Sequence, residues 1–133
     1  MTYKFEELQE QFISNLENAV LPQCHDKLYD GTGYCCLGLA CMTVYGDKEK
    51  YDVGKIQKLI FDNESLDGFC TVKERLNLRG GLGEIKFENL SEVWEERVGE
   101  ANSLASLNDD LKWDFPTIGM FIRENPEAVF SDF

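Results

Sequence analysis

The thiols and the imidazole are the first groups to test for chemistry. The chain holds five cysteines and one histidine. Two short runs stand out, Cys24-His25 and Cys35-Cys36-x4-Cys41. Zinc wants four tetrahedral ligands, commonly offered in pairs at Cys-x2-Cys or His-x3-His spacing. Neither pair occurs. On a helix, Cys36 and Cys41 lie about 140° apart around the axis and diverge. The pattern favours small buried core residues over metal ligands. A reactive thiol is the other option. Cys35 precedes an expected helix, whose dipole lowers a thiol pKa, and His25 is the one imidazole that could act as its base. Against this, Cys36, Leu37 and Leu39 mark the stretch as core, and nothing nearby would orient the base.

Anion binding is the second chemistry the residues allow. Thr32-Gly33-Tyr34 belongs to a tight turn that leads into a helix N-terminus, where backbone N–H groups favour negative charge. Arg79-Gly80-Gly81-Leu82-Gly83 is a glycine-rich loop. Such loops can turn N–H groups toward a phosphate, and Arg79 adds a bidentate charge. The loop lacks the Gly-Lys-Ser/Thr of a phosphate-binding loop and the Gly-x-Gly-x-x-Gly dinucleotide fingerprint. The candidate ligand contacts are therefore Thr32, Gly33, Tyr34, Gly80 and Gly81, with Lys27 and Arg79 as charge partners. No residue pattern calls for a metal or a cofactor. Glu92, Glu95, Glu96, Asp109 and Asp110 read as solvated charge and cannot be told from a hydrolase site by pattern alone.

The elements that must hold these residues are mostly helical. Phe5, Leu8, Phe12, Ile13 and Leu16 share one face of a helix predicted over Lys4 to Ala19, with Pro22 as its stop. Two glycines in Asp30-Gly31-Thr32-Gly33 predict a tight turn and a hairpin. Tyr34 to Tyr45 is apolar almost all round and ends at Gly46, so it reads as a buried central helix. Gly38 inside it suggests a close backbone neighbour. Val53 to Phe61 is a helix or strand, Asn63 to Gly68 a turn and Thr71 to Leu78 a short helix. Glu84 to Phe87 alternates like a short strand. Leu90 to Val98 is a helix starting near Ser91, with Val93 and Trp94 as its buried face. Asn108 and Asp109 are expected to turn the chain into the last helix by side-chain to backbone hydrogen bonds. That helix is capped by Asp114, carries Pro116 in its first turn and buries Phe115, Ile118, Phe121 and Ile122. It stops near Asn125-Pro126. The expected fold class is α+β: a small single domain over residues 1–133, helix-dominated, with a short hairpin or small antiparallel sheet.

Composition sets the outer bounds. The chain has 133 residues, 43% of them hydrophobic and 29% charged, which excludes wholesale disorder. Lys and Arg number 13 and Asp and Glu 25, for a net charge of −12. Such a surface repels duplex nucleic acid and anionic membranes. No apolar run approaches the roughly 20 residues that span a bilayer. Met1 to Glu10 is charged and lacks an apolar signal segment, which predicts a cytoplasmic protein. An odd number of cysteines, two of them adjacent, fits a reducing compartment.

Two stretches carry a resemblance. Asp30-Gly31-Thr32-Gly33-Tyr34-Cys35-Cys36-Leu37-Gly38-Leu39-Ala40-Cys41 resembles the Gly-(Phe/Tyr)-Cys-Cys-Leu-Gly-Val/Leu-x-Cys signature of small proteins widespread in tailed bacteriophages. Leu104-Ala105-Ser106-Leu107-Asn108-Asp109, followed by Phe115, Ile118 and Ile122, resembles that family's C-terminal pattern. The match does not extend over residues 47–102, and Lys112-Trp113 departs from the small polar residues usual at that point. The resemblance implies a non-enzymatic phage accessory protein. It further implies overlap with immune-evasion sponges, such as the anti-CBASS proteins, which sequester cyclic nucleotide signals in the host cytoplasm, usually as homo-oligomers. A dianionic ligand then needs a local basic pocket on an acidic chain. The charge itself supports a different reading, an acidic inhibitor that occupies a basic groove on a host defence or transcription protein. Both readings stand at this point.

Overall fold

A computed structural model of the chain describes residues 4–25, 32–45, 75–79 and 83–130. The first helix, α1 (Glu7–Glu17), buries Phe12, Ile13 and Leu16 along one stripe, with Phe5 and Leu8 packed at the margin. Its start is tied by Gln9, whose Oε1 accepts the Glu6 N–H at 2.9 Å. The same side chain donates from Nε2 to the Leu76 carbonyl at 3.0 Å. Its end comes well before Pro22. Ala19 N–H reaches Leu16 O at 3.0 Å and Val20 N–H reaches Asn15 O at 3.3 Å. These two bonds form a Schellman closure around Ala19, which sits at φ +46°, a place usually taken by glycine.

The second helix, α2 (Cys36–Tyr45), has no polar face to turn outward, so Cys36, Leu37, Leu39 and Ala40 are all buried. Then follow a 3-10 turn over Phe87–Asn89 and the helices α3 (Glu92–Val98) and α4 (Leu104–Asp109). The chain continues into α5 (Phe115–Glu124) and the short α6 (Pro126–Val129). Asp114 caps α5 by accepting the Thr117 N–H at 2.9 Å. Phe115, Ile118, Phe121 and Ile122 form its buried stripe, as periodicity predicts.

Helix α1 packs against both α2 and α5. Gly119 makes the α1–α5 approach possible. A Cβ there would fall 2.9 Å from Glu17 Cγ and 3.1 Å from the Glu17 backbone nitrogen. Arg123 closes the same seam from the outside. Its Nη1 lies 3.1 Å from Glu10 and its Nη2 2.7 Å from Glu17. The guanidinium hydrogen bonds hold the Glu17 carboxyl below the usual glutamate range, although burial works against them.

Several expectations need correction. The predicted hairpin or small antiparallel sheet is not found among the described residues; three isolated bridges stand in its place. Gln23 pairs with Tyr34 in parallel sense, whereas the strands of a hairpin pair antiparallel; the expected turn at Asp30-Gly31 itself lies outside the described residues. Glu84 bridges Ser103 and then the chain turns into the 3-10 segment, so no strand forms over Glu84 to Phe87. The architecture is thus helix-dominated without a sheet in the described part. In α3 Trp94 is buried at 3% exposure, but Val93 is 67% exposed. Val98, one turn after Trp94, completes the buried face instead. The expected elements over Val53 to Phe61 and Asn63 to Gly68 lie outside the described residues, and Thr71 to Leu78 is described only from Arg75, where Arg75 and Leu76 are helical. Among the described residues, no helix is long and apolar enough to cross a membrane.

Ala19 gives a direct test of the α1 closure. A left-handed alanine costs roughly 1–2 kcal/mol, and glycine removes that strain at an entropic cost of about 0.4–1 kcal/mol. Ala19→Gly should therefore raise stability by about 0.5–1 kcal/mol in urea titration.

Candidate functional site

The two motif stretches meet at one buried side chain. Asn108, in the last turn of α4, is fully buried. Its Nδ2 donates to the Cys24 carbonyl at 2.9 Å and to Asp109 Oδ1 at 2.7 Å. Its Oδ1 accepts the Cys36 N–H at 3.1 Å and Gln23 Nε2 at 2.9 Å. Gln23 Nε2 also reaches the Trp113 carbonyl at 2.8 Å. One carboxamide thus joins residues 23–24, the start of α2 and the end of α4. The sequence reading assigns Asn108 a local turn-making role. None of its four bonds closes that turn, which carries the backbone bonds of Leu111 N–H to Ser106 O and Trp113 N–H to Leu107 O.

The cysteines complete this clasp. Cys36 N–H opens α2 and has no partner within its own helix, so the Asn108 oxygen caps it from across the fold. Cys35 Sγ accepts the Gly38 N–H at 3.4 Å, the role a serine or aspartate usually fills at a helix start. Cys36 Sγ donates to the Leu104 carbonyl at 3.3 Å. Burial pushes the Cys35 thiol up to about 12, and it raises Cys36 as well. Cys24, Cys35 and Cys36 are all buried, whereas His25 is exposed. A neutral thiol suits a buried hook and not a nucleophile at neutral pH.

The candidate ligand residues are placed unevenly. Thr32 is exposed. Gly33 is buried and lacks a positive φ. A Cβ there would fall 2.9 Å from the Pro22 carbonyl oxygen, so close approach of two backbones requires the glycine, not the turn. Tyr34 is buried; its N–H donates to Pro22 O at 2.8 Å, and its carbonyl accepts the Cys24 N–H at 2.8 Å. The helix N-terminus beside it already spends Cys36 N–H and Gly38 N–H on protein acceptors. Arg79 lies against the C-terminal helix, with Nη2 on the Glu127 carbonyl at 2.8 Å. Lys27, Gly80 and Gly81, like Gly31, lie outside the described residues. Among the described residues, no three His, Cys, Asp or Glu side chains gather as a metal site.

A second group escaped the sequence reading. Trp94 of α3, Trp113 of the α4–α5 connection and Phe121 of α5 pack as a triangle. Their ring centroids are 5.4–5.9 Å apart. Trp94 Nε1 donates to Glu124 at 3.1 Å. The Arg97 guanidinium rests 4.2 Å above the Trp94 ring and 5.4 Å from that of Trp113. Three separate segments supply this cluster, so no spacing rule could reveal it.

No protein-family model matches the chain, and no curated protein or solved structure matches it.

Two outcomes follow from the clasp. Asn108→Asp keeps the shape but points an acceptor at the Cys24 carbonyl and places a carboxylate beside Asp109. It should cost at least about 3 kcal/mol at pH 7, as expected for a buried uncompensated polar group. The introduced carboxyl has a raised folded pKa. The lost stability should therefore return as pH falls below that value, seen as a smaller deficit against the parent in acid. A thiol reagent at pH 7 should label Cys24, Cys35 and Cys36 only at the rate of unfolding, measured by mass spectrometry of digested protein.

Proposed function

We propose that this protein is a non-enzymatic phage accessory protein. It works by sequestering a small anionic ligand, foremost a cyclic nucleotide signal of anti-phage defence. The supporting observation is the fate of the motif residues. Cys35, Cys36 and Asn108 bond to one another's elements and build a frame; the one thiol that sequence offered as a nucleophile is held neutral by burial. Motif residues spent on architecture fit a binding scaffold better than a catalyst. The resemblance to the phage family supplies the ligand class. On this reading the protein acts in the cytoplasm of the infected host cell, as a homo-oligomer.

A second reading keeps one specific observation in its favour. Helix α3 turns Glu92, Glu95 and Glu96 to solvent beside the exposed Val93, on a chain of net charge −12. That surface suits an acidic inhibitor set into a basic groove of a host protein.

Thermal melting with a panel of cyclic di- and oligonucleotides separates the two. At 100 times its dissociation constant, a ligand adds about 2.7 kcal/mol, a rise on the order of 10 °C for a domain of this size. A flat panel removes the sponge reading and leaves the acidic inhibitor.

A further inference from the structure

We propose that the Trp113–Arg97–Lys112 surface is a nucleotide-binding site, taking a planar base against the Trp113 ring and the Arg97 guanidinium, with phosphate on Arg97 and Lys112. This rests on the reading that the chain binds a small anion, and it moves the site away from the turn at Thr32 to Tyr34. The case begins with charge. Arg123 is already neutralised by Glu10 and Glu17. Arg79 is engaged on the Glu127 carbonyl. Arg97 is different. It is exposed, and among the described residues its guanidinium makes no ion pair or hydrogen bond, only contact with the two indoles.

Trp113 is half-buried, so part of its ring meets solvent. Its chain neighbour Lys112 is exposed and holds a left-handed backbone at φ +55°. Its ammonium has one long contact, to the Asp109 carbonyl at 3.5 Å. The Arg97 guanidinium, without a carboxylate partner, therefore lies 5.4 Å from the ring of a half-buried tryptophan whose chain neighbour is a second exposed cation. Base stacking on indole or on a guanidinium plane, with cations on the phosphate, is how proteins hold unpaired nucleotides. The platform is rigid. Trp113 packs against Phe121 and Trp94, and its carbonyl is held by Gln23, which also bonds Asn108. The motif clasp and the proposed platform are thus one connected structure. Glu124 on Trp94 Nε1 and the exposed Glu96 and Asp110 oppose a phosphate, so binding should weaken with each added negative charge beyond what two cations meet.

Both tryptophans of the chain lie in this cluster, so indole fluorescence reports on it alone. The experiment pairs isothermal titration with fluorescence, using full-length protein and three probes: cyclic di-adenylate, a cyclic guanylate–adenylate and adenosine monophosphate. Parent protein is compared with Arg97→Met, which keeps an apolar cover on Trp94, and Lys112→Asn, which tolerates the left-handed backbone. Apo melting curves of both variants confirm folding. The expected result is binding of at least one probe with quenched indole emission, weakened on the order of 10-fold or more in each variant. Stronger binding of the cyclic probes assigns a two-base ligand, and equal binding of the monophosphate assigns a single nucleotide. Binding with unchanged emission and unchanged affinity in both variants overturns this site while the binding reading stands. No binding by any probe overturns both.

Discussion

The joining of residues 23–24, the start of α2 and the end of α4 depends on satisfying one buried carboxamide. Asn108 has two donors and an oxygen with room for two acceptor bonds, and all four positions are filled. Each bond contributes only about 1 kcal/mol net, yet a partner left unpaired costs about 1–3 kcal/mol. The asymmetry makes the clasp specific. The residues around it can be arranged in one way only if every polar group is to find its mate. It also fixes the start of α2, an element too apolar to choose its own orientation by amphipathicity.

The cysteines acquire a physical role from that constraint. The start of α2 lies in the core, where a charged cap would need compensation. A thiol is small, weakly polar and neutral. Cys35 can therefore accept Gly38 N–H, and Cys36 can donate to Leu104 O, without bringing charge inside. The raised thiol pKa follows from the same burial. Reactivity and architecture compete for these sulfurs, and architecture prevails.

Much of the helical frame was legible because it obeys periodicity and capping. The α1 stripe, the buried α2 and the Asp114-capped α5 all emerge from spacing and from Asp, Pro and Asn at the right places. What failed was non-local. Two glycines suggested a hairpin, yet Gly33 serves a close parallel approach of Pro22 and Gln23. Alternation at Glu84 to Phe87 suggested a strand, but only one bridge forms. Val93 and Trp94 are neighbours on a helix about 100° apart, so only one could face the core. Asn108 looked like a turn residue, because its partners lie 72 and 84 positions away and leave no local trace. Gly119 and the Trp94–Trp113–Phe121 triangle were invisible for the same reason.

Through Gln23 and Asn108, the clasp holds Trp113 and the start of α2 in fixed relation. The central claim is that the Asn108 oxygen caps α2 from another helix. Amide hydrogen exchange at Cys36, followed by NMR, tests it most directly. The first N–H of a helix has no intrahelical partner and ordinarily exchanges early. The clasp predicts that Cys36 exchanges as slowly as core amides of α1 and α5, and that Asn108→Ala speeds Cys36 selectively. Fast exchange at Cys36 in the parent protein, with α1 and α5 protected, would contradict the account.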